Sequence, residues 1–290
     1  MKKIAILSGG TSSEREVALR SAAFFKKYLN KDFDFYDFPS DLEKFLENKD
    51  KYNLAIPIFH GQYGEDGKIF AFLEILGIDT TFSKYETHAI CLNKYVTNEL
   101  VSKLGVNVPA QFLYNGRLDL DMFPLIAKPN RGGSSMYTYK VSNIKEFNEK
   151  IADIKQHTTD DILVQEFVEA EEYSVSIVAS EVLPIMKVQK EKGEFFDFEN
   201  KYSDAPKIKE TWPEIEPSLE SSLAFQAKKI YNFFNCKGYA RVDFLVKDNE
   251  IYFLEINTIP GMTEGSIVPK SWLKAGRNFG ELVKVVVNDK

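Results

Sequence analysis

The sequence contains very few of the residues that bind soft metals or form disulfide bonds. Its 290 residues include two cysteines, Cys91 and Cys236, and three histidines, at positions 60, 88 and 157. Two cysteines so far apart do not make a disulfide framework, and no His/Cys cluster has the spacing of a zinc site. This composition favours a reducing, cytoplasmic environment, and any bound metal is expected to be a hard ion held by oxygen atoms.

Long apolar runs and an excess of positive charge are also missing. No stretch is long enough and apolar enough to span a bilayer, and the apolar run at residues 3–7 is too short for a signal peptide. A net charge of -6 does not suit a partner with a phosphate backbone. We therefore expect neither a membrane nor a nucleic acid as partner. A nucleotide can still bind where a site concentrates lysine, arginine and backbone N–H groups.

The residues that are present describe an ordinary globular protein. Hydrophobic residues make up 44% of the chain and charged residues 28%. A length of 290 residues allows two or three domains. We expect an α/β protein with an N-terminal domain at 1–83, a central domain at 84–170 and a C-terminal domain at 171–290.

Apolar runs and turn residues predict a parallel α/β sheet in the first domain. Ser13 and Glu16 have the spacing of a capping box, which predicts a helix from there to about Leu29. Another helix is expected after the turn-rich loop at 60–67. The predicted strands alternate with these helices and lie at residues 3–7, 33–38 and 54–59. Pro57 lies inside the third run and argues against a regular strand there.

The rest of the chain predicts a small α+β domain followed by a domain rich in strands. A helix is expected at 94–104 and another at 218–234. The predicted strands are at 111–114, 124–128, 136–141, 162–167, 173–179, 183–190, 239–246 and 251–256. The segment 193–217 is polar and irregular in pattern, which predicts a lid.

Two neighbouring strands near the C-terminus carry acids that face the same way. A three-residue loop at 248–250 predicts that Asp243 lies opposite Glu255 and that Arg241 lies opposite Asn257. A two-residue loop would place the two carboxylates on opposite faces. Like charges opposite each other are destabilising unless a cation neutralises them, and carboxylate and amide oxygens suit Mg²⁺. The alternative is a hairpin with solvated acids and Arg241 as their counter-ion.

Two turns rich in small residues are candidates for phosphate binding. The first, at 130–135, follows Lys128 and Pro129, and its glycines would let backbone N–H groups approach a phosphate. It lacks the Gly-Lys-Ser/Thr of a P-loop, so an ordinary turn is the alternative. The second turn, Gly9 and Gly10, precedes Glu14 without a dinucleotide fingerprint. From the pattern alone, Glu14 would serve the first turn of a helix.

Taken together, these segments resemble the D-alanine–D-alanine ligase family of ATP-grasp enzymes. The matching motifs occur in order along nearly the whole chain: GGTSSEREVAL, HGQYGEDG, KPNRGGSS, EFFDFENKY, ARVDF and LEINTIPGMTEGSIVPK. The resemblance implies the ATP-grasp fold, with an N-terminal parallel-sheet α/β domain, a small central α+β domain and a C-terminal mixed-sheet domain. ATP would lie between the second and third domains, and the amino acids where all three meet.

The resemblance also implies which residues bind ATP. Lysines and a serine loop would contact the phosphates, the segment 165–168 would contact the edge of the adenine ring, and an acid would bind the ribose. The implied residues are Lys94, Lys128, Ser135, Gln165, Glu166, Phe167, Val168, Glu172 and Lys201. Asp243, Glu255 and Asn257 would hold two Mg²⁺ ions, for which Mn²⁺ is the expected substitute.

Other residues are implied in catalysis. Glu14, with His60 nearby, would bind the ammonium group of the first D-alanine, and Ser266 the carboxylate of the second. Arg241 and the backbone N–H of Gly261 would stabilise the oxyanion of the tetrahedral intermediate. Ser134, Tyr202 and Glu14 would form a hydrogen-bonded network that closes the site.

The implied reaction joins two D-alanines through an acyl phosphate, for peptidoglycan precursors, in a homodimeric enzyme. A ligase for another amino acid or a hydroxy acid, or a non-catalytic ATP-binding homologue, is the alternative. The chain departs from the family pattern at six places: Asn93, Gly132, Tyr137, Gln165, Asn200 beside Lys201, and the pair Glu264 and Gly265. These departures concern the phosphate loop, the adenine contact and the pocket of the second amino acid.

Overall fold

A computed structural model describes residues 3–118, 123–190 and 208–288. Its helices are α1 (Arg15–Tyr28), α2 (Leu42–Asn48), α3 (Lys68–Ile75), α4 (Tyr85–Leu92), α5 (Lys94–Lys103), α6 (Ile144–His157), α7 (Pro217–Phe233), α8 (Ile267–Lys274) and α9 (Phe279–Asn288). Its strands are β1 (Lys3–Gly9), β2 (Phe33–Phe38), β3 (Tyr52–Ile58), β4 (Asp79–Thr80), β5 (Gln111–Leu113), β6 (Leu125–Pro129), β7 (Tyr139–Val141), β8 (Ile162–Glu166), β9 (Glu171–Val178), β10 (Glu181–Val182), β11 (Met186–Lys190), β12 (Ile208–Thr211), β13 (Tyr239–Lys247) and β14 (Glu250–Asn257). Across these residues, no helix combines the length and apolarity needed to cross a membrane.

The first sheet is parallel, with strand order β2-β1-β3-β4, which confirms the predicted α/β arrangement. Pro57 is part of β3 after all and pairs with Leu7 of β1. On its other side β3 pairs with β4 only at Leu54 and Ala55. Because Pro57 lies beyond that short contact, the strand has one neighbour there, and proline is tolerated at such edge positions.

The predicted capping box at the start of α1 does not form. Glu14 occupies the N-cap position and makes no side-chain cap hydrogen bond. The hydroxyl of Ser13 instead donates to the sulfur of Met136 at 3.3 Å. Ser12 Oγ accepts from the Glu14 N–H and donates to the carbonyl of His60. The hydroxyls at this end of the helix therefore link loops together rather than cap it.

The other two sheets pair their strands antiparallel throughout the described residues, so the C-terminal sheet is antiparallel rather than mixed as expected. One has antiparallel order β5-β8-β6-β7, and the other has order β12-β11-β9-β13-β14, with β10 paired to β9. Three details of the prediction were wrong. The run 183–190 is interrupted, the polar segment 193–217 contains β12, and the helix α4 was missed.

The hairpin of β13 and β14 has the predicted pairing but a different turn. Its loop has two residues, Asp248 and Asn249, with φ of 50° and 64°, as a type I′ turn requires. A β-bulge then shifts the register by one residue after Phe244 pairs with Phe253. The bulge restores the predicted pairs, so Asp243 lies opposite Glu255. The assumption that a two-residue loop would separate the carboxylates was wrong because it allowed for no bulge.

The largest apolar core joins the two ends of the described chain. Buried residues of β1 and β3 share this core with Leu282 and Val286 of α9 and with Trp272 of α8. The ring of Phe24 on α1 meets that of Phe279 on α9 at 5.2 Å between centroids. The last two helices therefore complete the core under the first sheet.

Candidate active site

A cavity of about 1490 Å³ lies where the three sheets converge. It is lined by the sequence-predicted site residues Glu14, His60, Lys94, Lys128, Ser134, Ser135, Gln165, Glu166, Phe167, Val168, Glu172, Arg241, Asp243, Glu255, Asn257, Gly261 and Ser266. Lys201 and Tyr202, and with them most of the predicted lid, lie outside the described residues. The structure thus brings these side chains to one cavity, while their individual roles stay predictions.

Two lysines lie close together at one side of the cavity. Lys94 begins α5, donates to the carbonyl of Gly132 at 2.6 Å and lies 3.4 Å from Glu255 Oε2. Lys128 on β6 is 7% exposed, and its pKa is lowered to about 8 by burial and then by the charge of Lys94. Two neighbouring cations that repel each other form a favourable site for an anion such as a phosphate.

Asp243 is bound by its neighbour Arg241. Arg241 Nε donates to both carboxylate oxygens, at 2.9 and 3.0 Å, and Nη2 donates to Oδ2 at 2.7 Å. Ser174 Oγ donates to Oδ1 at 2.5 Å. Burial opposes the charge of Arg241, but Asp243 raises the pKa of the guanidinium further, so Arg241 stays charged. The counter-ion role considered as the alternative is therefore present.

The oxygen atoms on this face still suit a hard divalent ion. Asp243, Glu255 and Asn257 all line the cavity. Asn257 Oδ1 accepts from the Ile259 N–H at 3.1 Å, which fixes its side chain. Within the described parts of the chain, no group of three or more His, Cys, Asp or Glu could hold a metal ion. The predicted set has two carboxylates and one amide, so it needs further oxygen ligands from substrate or water, as Mg²⁺ commonly does.

Glu14 connects α1 to the predicted phosphate loop. Ser134 Oγ donates a hydrogen bond to Glu14 Oε1. A Cβ at Gly133 would meet Glu14 Oε2 at 3.1 Å, so a larger residue there would press on this carboxylate. His60 is buried, and burial lowers its pKa, which leaves the ring neutral. Its Nε2 shares a hydrogen bond with Ser21 Oγ at 3.1 Å.

Three of the departures from the family pattern make side-chain contacts, and Asn200 lies outside the described residues. Asn93 caps α5 by accepting from the Val96 N–H at 3.1 Å. The ring of Tyr137, at a φ of 55°, stacks on His157 of α6 at 4.6 Å. Glu264 accepts from Lys27 and Tyr28 of α1 at 2.7 and 2.8 Å.

Ser266 and Gly261 lie together at the start of α8. Ser266 occupies the N-cap position, and its Oγ accepts from the Thr263 N–H at 3.0 Å. A Cβ at Gly261 would meet Ser266 Oγ at 2.9 Å, so a side chain there would displace this hydroxyl. The turn therefore holds a hydroxyl and a helix N-terminus at the cavity wall, an arrangement suited to a carboxylate.

Glu65 is a cavity residue that the sequence reasoning missed. It lines the same cavity, and its Oε2 accepts from the Gly61 N–H at 3.0 Å. Burial, and then the charge of Glu14, raise its pKa to about 8. The acid in the loop HGQYGEDG was a visible signal, but its burial depends on the fold.

Replacing Glu65 with Gln is expected to stabilise the protein increasingly as pH rises. The pKa of this acid is about 4.3 in an unfolded chain and about 8 in the fold. Between these values the folded state binds a proton that the unfolded state releases, so wild-type stability falls with rising pH. Gln does not titrate and resembles the protonated acid.

Melting temperatures at pH 5, 7 and 9 measure this effect. The variant should exceed the wild type only slightly at pH 5 and much more at pH 9, because each pKa unit corresponds to about 1.4 kcal/mol. Glu74→Gln, an exposed change on α3, is the control. A constant difference between Glu65→Gln and the wild type across this range would contradict the raised pKa.

A parallel α/β sheet followed by two sheets that close on a lysine- and carboxylate-lined cavity defines an enzyme of the ATP-grasp class. Residues 114–288 match the family model described as D-ala D-ala ligase C-terminus. The chain is 35% identical to the D-alanine–D-alanine ligase of Aquifex aeolicus, over 98% of this chain and 99% of that protein. It belongs to the D-alanine–D-alanine ligase family.

Solved structures of the same family have the same fold. The D-alanine–D-alanine ligase of Bacillus anthracis complexed with ATP superposes with a TM-score of 0.85 at 26% identity, covering 99% of this chain and 96% of that one. VanG D-Ala:D-Ser ligase from Enterococcus faecalis superposes with a TM-score of 0.83 at 26% identity, covering 99% and 98%. In each comparison the similarity therefore extends over nearly the full length of both chains.

Proposed function

We propose that this chain uses ATP and Mg²⁺ to join two molecules of D-alanine into D-alanyl-D-alanine, the dipeptide of peptidoglycan precursors. The observation that carries the proposal is the single cavity onto which three sheets bring two lysines, the acids of β13 and β14, and the turn at Ser266. Full-length relatives that are named D-alanine–D-alanine ligase support the substrate.

The first step transfers the γ-phosphoryl group of ATP to the carboxylate of the first D-alanine. A carboxylate is a poor electrophile because its leaving group would be oxide, whereas an acyl phosphate has a good leaving group. Lys94 and Lys128 would neutralise charge on the phosphates. Asp243, Glu255 and Asn257 would hold Mg²⁺, which supplies charge neutralisation for phosphoryl transfer when bound. Glu14 would orient the ammonium group of this D-alanine.

In the second step the uncharged amine of the second D-alanine attacks the acyl phosphate, and the C–O bond to phosphate then breaks, so that inorganic phosphate leaves and the nitrogen loses a proton as the amide forms. The carbonyl oxygen becomes anionic, and Arg241 and the N–H of Gly261 would stabilise it. Arg241 is already fixed by Asp243, so its guanidinium needs little reorganisation. Ser266, at the N-terminus of α8, would bind the carboxylate of the second D-alanine. The Ser134–Glu14 hydrogen bond would close this side of the site, with Tyr202 as the third member of the network.

At the opposite end of the cavity, ATP would bind through its base and sugar. Gln165 to Val168 would edge the adenine, Glu172 would hold the ribose, and Ser135 would cover the phosphates. Lys201, on the proposed lid at 193–217, would reach the γ-phosphate. We also propose the domain division 1–83, 84–170 and 171–290, a homodimer and a cytoplasmic location, as the family resemblance implies.

Phosphate release measured against a panel of amino acids tests the function. We expect release that requires ATP, Mg²⁺ and D-alanine, with the dipeptide identified by mass spectrometry. L-alanine, D-serine and D-lactate are the comparison substrates, and a sample with excess chelator is the metal control. Turnover with L-amino acids or D-lactate but none with D-alanine would overturn the substrate assignment, and no turnover with any of them would favour a non-catalytic nucleotide-binding protein.

A further inference from the structure

A hydrogen bond behind the base end of the cavity holds the side chain of Gln165 in one orientation. Gln111 and Gln165 lie directly opposite each other on β5 and β8, so their side chains share one face of the sheet. Gln165 Nε2 donates to Gln111 Oε1 at 3.1 Å. Gln165 is 2% exposed and lines the cavity. Its amide can therefore present only one of its two polar atoms to a ligand.

The orientation of Gln111 is fixed in turn by the main chain. Gln111 Nε2 donates to the carbonyl of Tyr95 in α5 at 3.1 Å. Gln111 Oε1 accepts from Asn98 Nδ2 at 2.8 Å as well as from Gln165. A backbone carbonyl can only accept, so turning Gln111 over would place two oxygens together at Tyr95 and N–H groups together at Asn98. The orientation of the Gln111 amide is thus determined by the backbone carbonyl of Tyr95, which cannot change from acceptor to donor.

Asn98 favours the same orientation of the Gln111 amide. Its side chain is fully buried, and its Oδ1 has no hydrogen-bond partner among the residues that the structure describes. An unpaired buried acceptor costs about 1–3 kcal/mol. The opposite orientation of Asn98 would face Gln111 Oε1 with a second oxygen. The observed arrangement keeps the donor of Asn98 on Gln111.

We propose that Gln111 and Asn98 are positioning residues that set the preference of the nucleotide site for a 6-aminopurine over a 6-oxopurine. With Nε2 bound to Gln111, Gln165 presents its oxygen to the cavity. An exocyclic amino group donates to that oxygen, whereas a 6-oxo group is an acceptor and is repelled. A Gln165 that could turn over would present Nε2, which would donate to the 6-oxo group. The proposal rests on the proposed function, because it takes this cavity to bind ATP.

The test compares ATP with inosine triphosphate, whose base carries a 6-oxo group in place of the amino group. Gln111→Met keeps the side-chain length but removes both the acceptor for Gln165 and the donor to Tyr95. The ratio of kcat/KM for ATP to that for inosine triphosphate should fall roughly tenfold, since one oriented hydrogen bond is at stake. Asn98→Leu should lower the ratio less, because the carbonyl of Tyr95 still orients Gln111.

Glu99→Gln is the matched control. Glu99 is exposed, and its Oε1 accepts from the same Gln111 Nε2 at the longer distance of 3.4 Å. This variant leaves the contacts of Gln111 with Tyr95, Asn98 and Gln165 in place, so its nucleotide ratio should equal that of the wild type. Melting temperatures identify any variant that fails to fold, and Asn98→Leu then provides the test in place of Gln111→Met.

The ratio separates positioning from a purely structural role. If both efficiencies fall by the same factor and the ratio in Gln111→Met and Asn98→Leu stays at the wild-type value, the proposal is overturned. Failure of the proposed function is seen separately, as absence of D-alanine-dependent phosphate release from the wild type. In that case, calorimetry measures the dissociation constants of ADP and inosine diphosphate. A preference for ADP that falls in Gln111→Met supports the proposal, and a preference that stays at the wild-type value in both variants overturns it.

Discussion

Asp243→Asn is expected to lower the rate of D-alanine-dependent phosphate release strongly and to lower the melting temperature. Asp243 is 3% exposed, and its carboxylate balances the charge of Arg241. Removing one partner of a buried ion pair costs about 3–5 kcal/mol, because the other charge is left uncompensated. The substitution also removes one negative charge from the proposed magnesium ligands. Turnover should fall by at least ~100-fold, since bound metal supplies several kcal/mol of transition-state stabilisation.

Two measurements, each with a control, separate these effects. Melting temperature is measured without Mg²⁺, and turnover is measured at saturating Mg²⁺ and ATP. Asp248→Asn makes the same chemical change at the exposed hairpin turn, where Asn accepts a φ of 50°. It should stay within about 0.5 kcal/mol of the wild type and remain active. An Asp243→Asn protein that is destabilised but fully active would show that Asp243 is only the counter-ion of Arg241.

Lys128→Met is expected to raise the KM for ATP by roughly 10- to 100-fold, the effect of losing one charged hydrogen bond to phosphate. In the wild type the KM for ATP should rise between pH 7 and 9. The pKa of Lys128 is lowered to about 8, mainly by burial, so the amine loses its charge as pH rises through that value. Met carries no charge at any pH. The variant should therefore have a high KM for ATP that does not rise further between pH 7 and 9.

Steady-state kinetics at pH 7, 8 and 9 test this prediction, with ATP varied at saturating D-alanine. Lys145→Met removes an exposed lysine of α6 and should leave both the KM and its pH dependence unchanged. A wild-type KM for ATP that is flat across this range would contradict a titrating Lys128. A normal KM in Lys128→Met would remove Lys128 from the nucleotide site.

The parallel sheet could be predicted because its signals are local. Short apolar runs separated by glycine and by amphipathic segments indicate strands and helices without knowledge of distant contacts. The run at residues 33–38 is the strand Phe33–Phe38 in the structure. The start of α1 was predicted less well, since the hydroxyl of Ser13 is taken by Met136, 123 positions away in sequence. A capping motif takes into account only the nearby backbone N–H groups as partners of the hydroxyl, and not residues that are distant in sequence.

The hairpin of β13 and β14 shows how far register can be predicted from sequence. The pairing of Asp243 with Glu255 was correct, but the predicted three-residue loop was wrong. A two-residue turn and a bulge shift the register by the same one residue as that longer loop. The alternation of side chains along the strands cannot distinguish a three-residue loop from a two-residue turn with a bulge, because both give the same alternation pattern in the sequence.

Motif resemblance assembled the candidate site, but the sequence did not reveal how the site is held together. Seventeen predicted residues line one cavity, yet neither the burial of Glu65 nor the support of Gln165 by Gln111 was foreseen. Both depend on segments that meet only in the folded chain. The departure at Gln165 could be noticed from the sequence, whereas the orientation of its amide required the neighbouring strand.

The shared core of β1 and α9 has a consequence for protein synthesis. Ribosomes release the first sheet long before they make Leu282 and Val286, the residues that cover its apolar face. Until then, Phe24 lacks its ring contact with Phe279. An isolated fragment of residues 1–83 would expose the same surface and is expected to aggregate or bind chaperones. Completion of the amino-terminal layer must wait for the carboxyl-terminal helix to leave the exit tunnel.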